Sequence, residues 1–154
     1  MRRRELSGFT CELRGTITSA GFSSGHRFVV GSWEESPIGP LADVMWARPD
    51  GRRILLVDRR EIARGLLGVR TWGVTPSGVQ EWYRADEYRR VVAGQANLNG
   101  RDLGPVRPFP EPARFGFSEP PRCPSMVRVR PLLHDPSGRL ARAVGGHALT
   151  EDGP

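Results

Sequence analysis

A chain of 154 residues has the length of one domain, and its 38% hydrophobic content with 19 glycines and 14 prolines fits neither a helical bundle nor a fully disordered chain. The formal charge of +6 rests on arginine alone; there is no lysine, which excludes Schiff-base catalysis by a lysine amine. Abundant arginine, glycine and proline without lysine fit the codon bias of a GC-rich genome, and the 17 carboxylates spread among the arginines argue against a dedicated nucleic-acid surface.

In chain order, Arg2-Arg3-Arg4 is the nearest thing to a basic block. Glu5 to Thr10 supplies no apolar region behind it, so no signal peptide is expected. Phe9 to Thr18 then alternates, with Phe9, Cys11, Leu13 and Ile17 on one face and Thr10, Glu12, Arg14, Thr16 and Thr18 on the other, the period of a half-buried antiparallel strand. Gly21 to Gly25 makes a turn, and His26 to Trp33 resumes as strand. After the rigid connector Ser36-Pro37-Ile38-Gly39-Pro40, Leu41 to Arg48 and Arg52 to Val57 form a hairpin about Pro49-Asp50-Gly51. Asp58 to Leu67 reads as a helix, capped by Asp58 with Glu61 three residues on, and ended by Gly68.

Val69 to Val74 and Val79 to Arg84 flank Thr75-Pro76-Ser77-Gly78 as a second hairpin, and Tyr88 to Leu98 is expected to pair onward. Asn99-Gly100 favours a type I′ turn into Arg101-Asp102-Leu103. Four prolines make Gly104 to Pro112 extended and unfit for a central strand. Arg114 to Phe117 and Met126 to Leu133 supply the last short strands, and Leu140 to Val144 has the makings of one helical turn. The expected fold is α+β, mainly antiparallel β: a curled sheet or partly open barrel with one short helix, spanning residues 1–138, followed by a flexible tail over 139–154.

Candidate chemistry is sparse. Gly21-Phe22-Ser23-Ser24-Gly25 matches the G-x-S-x-G of a nucleophile elbow, but an elbow must lead into a helix and this one leads into a strand; a hairpin loop explains it. His26, His134 and His147 lack metal-ligand spacing, and Cys11 and Cys123 are too few for a disulfide framework or thiolate site, so neither metal nor cofactor is expected. The segment His134-Asp135-Pro136-Ser137-Gly138 reads as a turn in which Asp135 bonds its own backbone. Glu34 and Glu35, adjacent on an extended chain, make no close acid/base pair. Asp43 shares a face with Leu41 and Met45, against Ala42, Val44 and Trp46. It is therefore either a carboxylate with a raised pKa or, the favoured reading, a hydrogen-bonded structural aspartate or one on a face whose register meets solvent. The aromatics Trp33, Trp46, Trp72, Trp82, Tyr83 and Tyr88 are read as core or core-edge residues ahead of base-stacking platforms.

Ser24 to Trp33 leading into Ser36 to Met45, Phe115-Gly116-Phe117 leading into Pro124 to Val129, Gly68 to Gly73, and Glu81-Trp82-Tyr83 together resemble an uncharacterised family of small actinobacterial proteins, over about two thirds of the chain. That family carries a longer segment between Ile54–Val57 and Gly68, which implies that this chain is a shortened member. The Ser-Pro-Ile-Gly-Pro element followed by a strand is also similar to acetoacetate-decarboxylase-like proteins, β-rich folds that enclose a cavity for small organic acids. Their Schiff-base lysine is missing here, so the resemblance implies a pocket without that reaction.

The leading functional expectation is a non-catalytic, cytoplasmic binding domain for a small anionic or apolar molecule held in a β-sheet cavity. Its expected lining residues are Asp43, Trp46, Arg70 and Trp82. The alternatives are an acid/base enzyme using Asp43 or His26, an arginine-rich nucleic-acid binder, and a shortened remnant without independent function. The longest aliphatic run, Ile54 to Val57, is far short of a membrane span, and no membrane partner is expected.

Overall fold

A computed structural model describes residues 8–57, 72–74, 80–111 and 120–142. The alternating segments do become strands: β1 (Phe9–Glu12), β2 (Arg14–Phe22), β3 (Arg27–Glu35), β4 (Leu41–Ala47), β5 (Arg53–Val57), β6 (Trp72–Val74), β7 (Gln80–Arg90), β8 (Asn97–Leu98), β9 (Arg101–Asp102), β10 (Val106–Arg107) and β11 (Ser125–Asp135). The main sheet runs β5-β4-β3-β2-β11-β7-β6, with β1 beside β11 and β10 beside the end of β2, and every pairing is antiparallel. It curls into a half-barrel, the mainly antiparallel fold expected.

Both turn signals hold. Gly51 takes φ 86° in the β4–β5 loop, where its N–H donates to the Arg48 carbonyl at 3.0 Å. Asn99 and Gly100 take φ 52° and 81°, both positive as a type I′ turn requires, between β8 and β9. The hairpin pairing Trp72 with Trp82 is present. A helical turn covers 139–142, close to the expected one at Leu140 to Val144. The proposed helix from Asp58 to Leu67, the strand from Arg114 to Phe117 and Arg70 lie outside the described residues.

Two expectations need correcting. Tyr88 belongs to β7, and 91–96 is irregular, so the onward strand from Tyr88 to Leu98 is replaced by the end of one strand and a two-residue piece of another. The segment read as a last short strand is the 11-residue β11, flanked by β7 on one side and by β1 and β2 on the other. Pro131 sits inside it. In an antiparallel ladder a residue's N–H and C=O face the same neighbour. The Pro131 carbonyl accepts from Leu13 N–H at 3.0 Å, but proline has no N–H to return to Leu13. The long N-terminal strand is therefore interrupted at Leu13, between β1 and β2.

The register stacks side chains in rows across the inner face. One row holds Val129, Gly15, Trp33 and Leu41; the next holds Val127, Ile17, Gly31, Asp43 and Val57. Above them come Ser125, Ser19, Val29, Met45 and Leu55, and the rim row is Arg107, Gly21, Arg27, Ala47 and Arg53. Trp33, Leu41 and Val129 form one buried cluster; Val29, Ala47 and Phe109 form the other, and Ile17 packs against both. Phe109 arrives from the strap that follows β10. Phe109 N–H donates to the Arg122 carbonyl at 2.9 Å, while the Arg122 side chain donates to the carbonyls of Phe109 (3.0 Å) and Pro110 (2.8 Å).

Candidate functional site

Strand period two places Arg27 on the inner face with Val29, Gly31 and Trp33, while Phe28 and Val30 point outward. Its neighbours in the rim row, Gly21 and Ala47, are small. Phe109 closes over them: a Cβ on Gly21 would meet the Phe109 ring at 3.1 Å and the Arg107 carbonyl at 2.7 Å. Arg27 is left 9% exposed, its Nε is buried without a hydrogen-bond partner, and among the described residues no carboxylate pairs with it. A buried guanidinium is costly unless it is paired and hydrogen-bonded, and five donors in a planar fork suit it to an oxyanion. Arg48 Nε is also buried without a partner, but that side chain is otherwise engaged. Its Nη2 lies 3.2 Å from Asp50 Oδ2 and its guanidinium sits 5.6 Å from the centre of the Trp46 ring.

Two rows away lies Asp43, 4% exposed. Trp33 Nε1–H donates to its Oδ1 at 2.7 Å. The two side chains meet above Gly31, where a Cβ would collide with Asp43 Oδ1 and stand 2.8 Å from Trp33 Nε1. The favoured reading of Asp43 as a hydrogen-bonded structural aspartate fits this geometry. Ser19 and Ser125, both buried, satisfy each other at 3.2 Å between their Oγ atoms.

No known family, curated protein or solved structure matches the chain. What the site can bind therefore follows from its own chemistry.

Of the other expected lining residues, Arg70 is outside the described residues, and Trp46 and Trp82 lie elsewhere. Trp46 is on the outer face, opposite Asp43, as the alternation along β4 requires. Trp82 pairs with Leu132 on the outer face as well, 41% exposed, with β3, β2 and β11 between it and β4. Asp43, Trp46 and Trp82 thus do not line one cavity. Around Trp46 an aromatic cluster forms instead: its ring stacks on Phe28 at 5.8 Å, Phe28 meets Phe22 edge-on at 5.8 Å, and Trp46 Nε1–H donates to His26 Nδ1 at 2.8 Å. In the neutral ring this puts the His26 proton on Nε2. Burial first, then the Arg48 and Arg101 charges against that of Asp50, hold the imidazole below its ordinary pKa. His26 and Asp43, the two proton-transfer candidates, face opposite sides of the sheet.

Ser23 of the G-x-S-x-G segment lies in the β2–β3 hairpin loop, closed by Phe22 N–H to the His26 carbonyl (2.9 Å) and Gly25 N–H to the Phe22 carbonyl (2.8 Å). Ser23 and Ser24 N–H groups are taken up by the carbonyls of Pro105 (3.0 Å) and Leu103 (3.2 Å), so neither is free to hold an oxyanion. Among the described residues no three His, Cys, Asp or Glu side chains gather as metal ligands would, and no helix is long and apolar enough to cross a membrane.

Sequence reasoning passed over Arg27. The signal was present: Arg27, Val29, Gly31 and Trp33 alternate in one strand, so an arginine stands where the apolar face requires a core residue.

Proposed function

We propose that the protein is a binding domain for a small anionic molecule, held at the rim of the half-barrel by Arg27. The observation that carries this reading is a buried arginine on the inner face, left without a protein partner among the described residues. Asp43 is engaged by Trp33, and Trp46 and Trp82 face outward, so the ligand's anchor is Arg27 in place of those residues. The apolar cluster of Val29, Ala47 and Phe109 lies on the same face of the sheet, and an environment poor in water strengthens a charge pairing made there. A small organic acid, the ligand class implied by the similarity of the Ser36 to Pro40 element to acetoacetate-decarboxylase-like proteins, carries the right charge.

The test is thermal unfolding with sodium acetate and sodium phosphate against sodium chloride at matched ionic strength, for the native chain and for Arg27→Gln. A ligand that binds only the folded state raises the melting temperature by mass action. The native chain should shift upward with at least one anion, and Arg27→Gln should not. In buffer without added anion, Arg27→Gln should be as stable as the native chain or more stable, because a buried unpaired charge has been removed. Equal anion shifts in both proteins, or none in the native chain, would reject the reading.

A further inference from the structure

The rim row holds a second arginine beside the first. Arg107 of β10 pairs with Gly21, and Gly21 pairs with Arg27, so the two arginines flank a residue without a side chain. The same register and period put Arg107 on the inner face, since Phe109, two residues on, enters the inner core. Two strand spacings separate their Cα atoms by roughly 10 Å; the Phe109 ring lies over Gly21 between them, so an anion shared by the two side chains sits on the solvent side of that ring. Arg107 is exposed, donates one N–H to its neighbour's carbonyl (Val106, 3.0 Å), and pairs with no carboxylate among the described residues.

This arrangement differs from the arginines elsewhere on the sheet. Arg14 lies against Glu12 and Glu35, Arg128 against Glu34, Arg84 and Arg130 against Asp86, and Arg89 against Glu87. Each of these has a carboxylate neighbour; Arg27 and Arg107, like the exposed Arg90 and Arg101, have none among the described residues, and of these four only Arg27 is buried.

We infer that Arg27 and Arg107 form a two-arginine clamp for a divalent oxyanion, the phosphate group of a small phosphorylated molecule or free phosphate. This rests on the anion-binding reading above and narrows it. A monocarboxylate carries one charge and offsets one guanidinium; a phosphate group carries a second charge to offset the second guanidinium, and a further oxygen to accept from it. The ligand sits at the end of the half-barrel where Arg27 and Arg107 share a row. Arg53, the third arginine of the row, donates to the Gly51 carbonyl at 2.9 Å, and the clamp does not depend on it.

The experiment is titration calorimetry at fixed ionic strength with inorganic phosphate, a phosphomonoester (glycerol phosphate), sodium acetate and a short single-stranded oligonucleotide. The proteins are the native chain, Arg27→Gln and Arg107→Gln, with Arg14→Gln as a surface control. The native chain should bind phosphate at least about tenfold more tightly than acetate, the value of one added charged hydrogen-bonding partner. Arg107→Gln should erase that preference and leave acetate binding unchanged; Arg27→Gln should lose both anions; Arg14→Gln should change neither. Phosphomonoester binding tighter than phosphate identifies the ligand as an esterified phosphate, and the reverse identifies the free ion. A phosphate-to-acetate ratio unmoved by Arg107→Gln overturns the clamp and leaves the single-arginine site standing. No anion binding to the native chain overturns both. An oligonucleotide that binds more tightly than either phosphate compound replaces the small molecule with a nucleic-acid backbone.

Discussion

Gly31 shows how one missing methyl group sets the interior. It occupies the point where Trp33 and Asp43 come together, and any Cβ there would strike the carboxylate. Gly31→Ala should destabilise the protein by about 2–4 kcal/mol, combining overpacking with a displaced buried hydrogen bond, as read from urea midpoints. Asp43→Asn, which keeps an oxygen for the indole to donate to, should cost less; a milder effect of Gly31→Ala than of Asp43→Asn would contradict this account. Other residues link stability to pH. Burial tends to raise the Asp135 pKa, but hydrogen bonds from Ser137 Oγ–H and from the N–H groups of Leu140 and Ser137 outweigh it and hold the carboxyl below its ordinary value. His26 is likewise held below its ordinary value. In both cases the unfolded chain takes up its proton at higher pH than the folded one, so protons favour unfolding as pH falls. Stability should decline in two steps, first from about pH 6.5 downward as His26 is forced to titrate, then below about pH 4 as Asp135 does. Urea melts of Asp135→Asn should weaken the second step and keep the first; what remains of the second belongs to Asp86, which the hydrogen bond from Arg130 also holds below its ordinary value.

At the scale of elements, the strap from β10 to Phe109 deserves the closest test, because it brings Phe109 into the apolar cluster on the face that carries Arg27. Phe109→Ala should cost about 3–5 kcal/mol. Arg122→Gln, which removes donors to the Phe109 and Pro110 carbonyls, should cost about 1–2 kcal/mol and raise amide exchange in the strap while leaving β3 and β4 protected. Exchange that rises equally throughout would show that the strap is not a separate unit. This element was poorly legible in the sequence. Four prolines marked its segment as extended, but only a long-range contact says that Phe109 folds back over Gly21. By contrast β2, β3 and β4 could be read directly, since each alternates about one buried face, and the Pro49–Gly51 and Asn99-Gly100 turns follow from local backbone chemistry. The central position of β11 could not, because Pro131 argues for an edge strand until its position opposite the break at Leu13 is known. Of the candidate site, the face of Asp43 could be read and so could that of Arg27. What concealed Arg27 was its company: among 23 basic residues, one buried arginine has no compositional mark.

Taken whole, the molecule is held together by contacts remote in sequence. Phe9 pairs with Asp135, and β11 joins β2 to β7. Such a topology folds slowly, because long loops must close before their strands are stabilised. Refolding from urea should take milliseconds to seconds, with pulse-labelled amides of the local β3–β4–β5 meander protected before those of β7 and β11. Simultaneous protection of all strands within the dead time of mixing would refute that order. The same feature bears on how the chain is made. Of the described strands, the one between β2 and β7 is the last to be synthesised, so β2 and β7 emerge from the ribosome well before their shared neighbour exists. Until residues 125–135 arrive, each exposes an unpaired backbone edge to other nascent chains. For this protein the hazardous interval is its own translation, and its yield in a cell should depend on chaperone capacity more than the stability of the finished fold would suggest.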